Sequence, residues 1–272
     1  MALVTCDFFS DVLEVGCSMT VVLPQPTEEQ IGVEGDPDSR PVPRTDFPVL
    51  YLLHGLSDDH TAWLRYTSVE RYAAAAGLAV VMPAVNRSFY ANERGGGRYW
   101  DFVADELPEI VGNFFRVSQD PADTYVAGLS MGGYGAMKLA LTHPGRFAAA
   151  ATLSGALDLE ELSSRPERID LFERIFGPAV PHDADLFKLL DQADAASLPR
   201  LHVSSGTEDA PGLVKGNRRF VAMLEDKGAD VTSDFRPGEH VWQLWDDLLP
   251  EVIAWMLTQG GSAPLTPRNS SH

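Results

Sequence analysis

Positive charge and sulfur are what this chain has least of. Its 39 acidic residues outnumber 21 basic ones, only four of them lysine, for a formal net charge of −18. A surface of that sign repels phosphate backbones and anionic headgroups, and no basic stripe offsets it. No nucleic-acid partner and no membrane partner is expected. No apolar run approaches the length that spans a bilayer. Met1 to Asp7 has neither the basic nor the apolar stretch of a secretory leader, so a cytoplasmic location is expected. Cys6 and Cys17 are the only cysteines. They fall on two short apolar segments that can pair as a hairpin, its two strands read at Phe8 to Leu13 and Cys17 to Leu23, so a bridge is geometrically open. In a reducing compartment two free thiols are expected instead. With no histidine pair nearby they make no zinc site.

What is present is ordinary for a globular protein: 272 residues, 44% hydrophobic and 22% charged. That is enough for one large α/β domain over residues 1–258, followed by a polar tail, 259–272, read as disordered. Pro24 to Pro48 reads as an exposed loop. Beyond it short apolar runs alternate with helical spacing. Strands are predicted at Val49–Leu53, Leu78–Met82, Thr124–Ala127, Phe147–Leu153, Leu201–Ser204 and Val231–Phe235. Helices are predicted near Asp101–Phe115, Met131–Leu141, Leu213–Lys227 and Val241–Leu257. Residues 157–196 break the rhythm and read as a small helical cap inserted over the strand ends. The alternation predicts a mostly parallel twisted sheet with helices on both faces, its site at the carboxyl ends of the strands.

One segment carries chemistry. Ala127-Gly128-Leu129-Ser130-Met131-Gly132-Gly133 sets a serine between glycines two residues away on each side, after an apolar run and before a helical stretch. A strand that turns sharply into a helix crowds its own backbone, and the serine at the turn projects its hydroxyl outward. This is the nucleophile-elbow pattern of the α/β-hydrolase fold. A serine hydroxyl needs a base, and the base an acid, in the chain order Ser, Asp or Glu, His. Of the later histidines, His272 lies in the tail and His202 inside a strand, where its ring should enter the core. His240 follows a strand on a Pro-Gly turn and is the expected base. Asp209 is the expected acid and its neighbour Glu208 the competitor. Asp158 reads better as a helix cap.

Two backbone amides should hold the oxyanion: Met131, at the start of the helix, and Leu56, with Gly55 the alternative. His54 precedes the serine and reads as a structural residue binding the loop to neighbouring backbone. Asp58-Asp59-His60 is too contiguous for a metal site, and its acids read as helix caps. Gly95-Gly96-Gly97 follows no strand and lacks the phosphate-loop Lys-Ser/Thr, so no metal and no cofactor is expected.

Several stretches together resemble the esterase family of α/β-hydrolases that includes S-formylglutathione hydrolases (esterase D) and bacterial tributyrin esterases of the acetyl-esterase type. They are Phe47 to Gly55, Ala79 to Pro83, Ala127 to Gly135, Gly206 to Asp209 and Gly238 to Trp242. The resemblance runs from about Phe8 to Leu257, and it assigns the family's serine, acid, base and oxyanion donors to Ser130, Asp209, His240 and the amides of Leu56 and Met131. The tributyrin-esterase branch looks closer, because Leu129 and Tyr134 stand where S-formylglutathione hydrolases usually carry histidines. Antigen-85-type acyltransferases share the fold but are exported. Val241 departs from relatives that often have Asp or Glu before the Trp. The resemblance implies a serine carboxylesterase cleaving short-chain esters, acetyl to butyryl, of small alcohols or sugars through an acyl-enzyme. A thioesterase such as S-formylglutathione hydrolase, or a catalytically silent binding protein on the same scaffold, are the alternatives. Phe89, Tyr90 and Trp242, with Phe172 and Phe176, are aromatics expected near the strand ends. The partner is a small-molecule ester, and self-association into a homo-oligomer is compatible with the sequence.

Overall fold

The structure, a computed structural model, describes residues 1–25 and 46–258. The loop read from Pro24 to Pro48 and the tail read at 259–272 lie largely or wholly outside the described residues. Eight strands form one sheet in the order β1-β2-β4-β3-β5-β6-β7-β8. They are β1 Ala2–Ser10, β2 Val15–Leu23, β3 Val49–Leu53, β4 Ala79–Pro83, β5 Thr124–Leu129, β6 Ala149–Leu153, β7 Arg200–Gly206 and β8 Val231–Arg236. The first two join antiparallel to each other and β2 antiparallel to β4; from β4 to β8 every pair is parallel.

The leading hairpin differs from its prediction. Its first strand begins at Ala2, the turn falls at residues 11–14, and Cys6 therefore faces Met19 while Cys17 faces Phe8. The two thiols are not cross-strand partners, and both are free. Apolar length alone could not fix this register, because β1 alternates exposed and half-buried residues.

Strands β3 to β6 are continuous apolar runs because both faces are covered. Val49, Tyr51 and Leu53 enter one core, and Leu50 and Leu52 the other. The second core is closed by α1 Ala62–Tyr66, α2 Val69–Ala76 and α10 Trp242–Leu257. The first is closed by a long helical stretch, by α5 Met131–Thr142 and by α9 Pro211–Asp226. That long stretch was predicted as one helix. It is instead α3 Tyr99–Asp101, a π-helical turn Phe102–Glu106 and α4 Leu107–Phe114. Glu106, at the π turn, accepts the amides of Asp11 and Val12 at 2.7 and 3.2 Å and so ties the hairpin turn to the body.

Between β6 and β7 lie α6 Leu159–Ser163, α7 Ile169–Phe176 and α8 Leu186–Gln192, in the segment read as a cap. Arg174 on α7 pairs with Glu93 at 2.6 Å and donates to the Arg87 carbonyl at 3.2 Å, and the Arg94 amide donates to the Ile175 carbonyl at 2.9 Å. Tyr134 of α5 donates to the Ala184 carbonyl at 2.7 Å beneath the cap. These bonds tether the cap to the loop after β4 and to the central helix.

Candidate active site

The turn from β5 into α5 is built by absence of side chains. A Cβ added to Gly128 would run into the backbone of Gly132, and one added to Gly132 into the carbonyls of Leu53 and His54. Strand end, helix start and the loop after β3 thus pack with no room for a methyl group. Ser130 sits between them at φ 52° and ψ −114°, a conformation that costs a non-glycine residue roughly 1–3 kcal/mol. The surrounding bonds hold it there. Its amide donates to the Leu153 carbonyl at 2.9 Å, and its carbonyl accepts from Tyr134 and Ala156 at 3.1 and 3.0 Å. With the backbone fully engaged, the hydroxyl faces a cleft of about 640 Å³ that also receives Leu56, Asp209, His240 and Trp242.

Asp209 and His240 meet because two loops are stitched together beyond the sheet. The β7–β8 pairing runs to Gly206 opposite Arg236. It continues as Thr207 N–H to the Arg236 carbonyl at 2.8 Å and Glu208 N–H to the Gly238 carbonyl at 2.9 Å. Three residues after Gly206 and four after Arg236, Asp209 Oδ2 and His240 Nδ1 lie 2.7 Å apart. The Asp209 carboxylate is fully buried, and its other oxygen accepts from the Ala210 amide at 2.6 Å. Glu208 is exposed and makes no bond to His240. The imidazole packs edge-to-face on Trp245, ring centroids 4.8 Å apart, and the Trp245 indole donates to Ser154 Oγ at 3.2 Å. An imidazole bonded at Nδ1 to a buried carboxylate keeps Nε2 free to accept a proton.

The amides of Leu56 and Met131 have no acceptor among the described residues, and Met131 begins α5, where the first N–H groups lack helical partners. His54 is buried. Its Nδ1 lies 2.7 Å from the Gly55 carbonyl, and its Nε2 accepts from the Val85 amide at 3.0 Å, so it braces the loop. Burial lowers its pKa to about 4 and keeps it neutral. His202 points into the core against Trp255, and burial lowers its pKa likewise to about 4. Asp158 caps α6 by accepting from the Glu161 amide.

Other residues fall elsewhere than expected. Tyr90 does not line the cleft: it is fully buried, and its hydroxyl donates to the His54 carbonyl at 3.0 Å. Phe89, Phe172 and Trp242 do line it; Phe176 packs against Phe172, the two rings tilted at 48°. Of the two acids read as caps, Asp59 accepts from Thr61 at 2.8 Å, whereas Asp58 lines the cleft, where burial raises its pKa. Val241 occupies the cap position of α10 with no side-chain cap bond, the structural consequence of the missing acid there. Sequence reasoning missed Trp245 and Ser154 behind the base; the one available signal was the Trp242–Trp245 spacing, which puts both on one helix face. It also missed Arg165 and Arg168, whose place in the cleft depends on how the segment between β6 and β7 folds back, and Arg87, brought there by the loop after β4.

Sheet order, elbow and acid–base pair together define an ester-hydrolysing enzyme of the α/β-hydrolase class, with the serine-hydrolase set of groups in one cleft. The chain belongs to the Esterase family, described as "Putative esterase", whose profile matches residues 27–256. It is 27% identical over 269 residues to the acetyl esterase of Caldicellulosiruptor saccharolyticus, covering 94% of this chain and 98% of that one. Among solved structures it resembles FphF, a fluorophosphonate-binding serine hydrolase of Staphylococcus aureus, at 32% identity and TM-score 0.83, covering 95% and 99% of the two chains. It is also similar to the S-formylglutathione hydrolase FrmB of Staphylococcus aureus, at 33% identity and TM-score 0.80, covering 94% and 99%.

Proposed function

We propose that this enzyme is a serine carboxylesterase for short acyl chains, acetyl to butyryl, working through an acyl-enzyme. Ser130 attacks the ester carbonyl while His240 takes its proton and passes it to the leaving alcohol. Asp209 fixes the imidazole and stabilises its cation, and the Leu56 and Met131 amides receive the oxyanion. Water activated by His240 then releases the acid. The observation that carries the reading is the 2.7 Å bond between His240 and the buried Asp209 in the cleft that Ser130 faces. Similarity to an acetyl esterase supports the short acyl range, and Phe89, Phe172 and Trp242 give the cleft apolar wall for an acyl group. The same reading keeps the enzyme in the cytoplasm; no helix among the described residues is long and apolar enough to cross a membrane.

The test is hydrolysis of nitrophenyl esters from acetyl to decanoyl. kcat/KM should fall steeply beyond hexanoyl, and Ser130→Ala should lower kcat by about three or more powers of ten. A maximum at long chains contradicts the acyl range; a variant keeping a tenth of wild-type turnover removes Ser130 from the mechanism. The likeness to FrmB favours a second reading, a thioesterase. Matched oxygen and sulfur esters separate the two, and a kcat/KM favouring the thioester selects the second.

A further inference from the structure

The cleft carries positive charge that the esterase mechanism does not use. Arg87, Arg165 and Arg168 all line it, in a chain with 39 acidic residues against 21 basic. Five arginines, Arg98, Arg146, Arg174, Arg219 and Arg236, each pair with a carboxylate. Arg165 is held by both oxygens of Glu161 at 3.0–3.1 Å. Arg87 and Arg168 have no carboxylate partner among the described residues. Arg65, Arg71, Arg94, Arg200 and Arg218 likewise pair with no carboxylate among the described residues, but of these seven Arg87 and Arg168 are the two that line the cleft, where a ligand can reach them.

Their surroundings say where. Arg87 stands two residues before Phe89, and Arg168 one helical turn before Phe172; the Phe89 and Phe172 rings lie 5.0 Å apart. The Arg174 bond to the Arg87 carbonyl locks the two chain segments together. One part of the cleft is therefore an aromatic pair flanked in sequence by two free guanidiniums. The acids of the cleft come from other segments: Asp58 from the loop after β3, and Glu208, Glu239 and the bonded Asp209 from the loops that carry the base. A guanidinium beside an apolar wall recognises a carboxylate or phosphate better than a neutral polar group, because its planar fork bonds both oxygens at once.

We infer that the ester this cleft accepts best carries an anionic group, a carboxylate or phosphate, that Arg87 and Arg168 bind beside the Phe89–Phe172 pair. The inference rests on the esterase reading and narrows its substrate class.

The experiment uses two matched pairs: monomethyl glutarate against methyl pentanoate for charge in the acyl part, and 2-acetoxypropanoate against its methyl ester for charge in the alcohol part. Wild-type kcat/KM is measured for each, and binding to Ser130→Ala protein by calorimetry. In at least one pair the anionic ester should be preferred by about tenfold or more, the scale of one charged hydrogen bond. The preference should shrink in 0.5 M salt, collapse in Arg87→Gln/Arg168→Gln, and partly return with Lys at both positions. An anionic ester bound equally or more weakly than its neutral partner in both pairs overturns the inference, as does a preference that survives the double Gln variant. Because binding is read without turnover, that failure is distinct from failure of the esterase reading, in which wild-type protein cleaves neither member of either pair.

Discussion

Replacing Asp209 by Asn changes one oxygen to an amide nitrogen and separates the acid from its neighbour Glu208. In the native site one carboxylate oxygen serves His240 Nδ1 at 2.7 Å and the other the Ala210 amide at 2.6 Å. Asn has a single acceptor for those two donors. If its oxygen stays on Ala210, the NH₂ group faces Nδ1, and the ring must carry its proton on Nε2, where it can no longer accept one from Ser130. The lost charge matters separately. A unit pair about 4 Å apart at an effective dielectric near 20 is worth about 4 kcal/mol, and that stabilises the imidazolium formed during attack. By itself this amounts to about 10³ in rate, and the wrong tautomer adds about another power of ten. Asp209→Asn is expected to lower kcat/KM for nitrophenyl acetate by about 10⁴, with KM nearly unchanged. Glu208→Gln, at an exposed position, should stay within about twofold. Steady-state rates across pH 6–9, with fluorophosphonate labelling to count intact sites, decide it. A fall beyond a hundredfold for Glu208→Gln, or a tenth of the activity kept by Asp209→Asn, would refute the assignment.

Acid stability should depend on His202. Its folded pKa, near 4, lies below the value of about 6.5 in an unfolded chain, so its contribution to stability is complete above pH 6.5 and is lost as pH falls toward 4. At pH 4.5 the loss is about 2–3 kcal/mol, and His202→Leu should remove it; urea midpoints that drop in parallel for wild type and variant between pH 7 and 4.5 would contradict this. Gly132→Ala forces a Cβ against the Leu53 and His54 carbonyls and should destabilise by more than about 2 kcal/mol with loss of activity. Denaturant unfolding that matches wild type would show that the elbow has room to spare.

Strands β3 to β6 were legible because burial on both faces demands largely apolar runs, bounded here by turn residues; β8, with Thr232 and Ser233 exposed, was legible from its place in the strand–helix alternation. The elbow was legible for a steric reason: only glycine fits at positions 128 and 132, and a serine between them at positive φ leaves a local trace in sequence. The order Ser130, Asp209, His240 came from the fold's connectivity, as did the choice of loops. What sequence could not supply was anything set by distance across the sheet ends. The register of the first hairpin, the retreat of Tyr90 from the cleft to brace His54, and the exposure of Glu208 beside the buried Asp209 are of that kind. So are Trp245 and Ser154 behind the base, and the arginines that the cap and the β4 loop bring to the cleft. Short-range sterics constrain neighbours in the chain and mark them. Packing between segments a hundred residues apart constrains only the folded molecule, and there the tertiary structure alone decided.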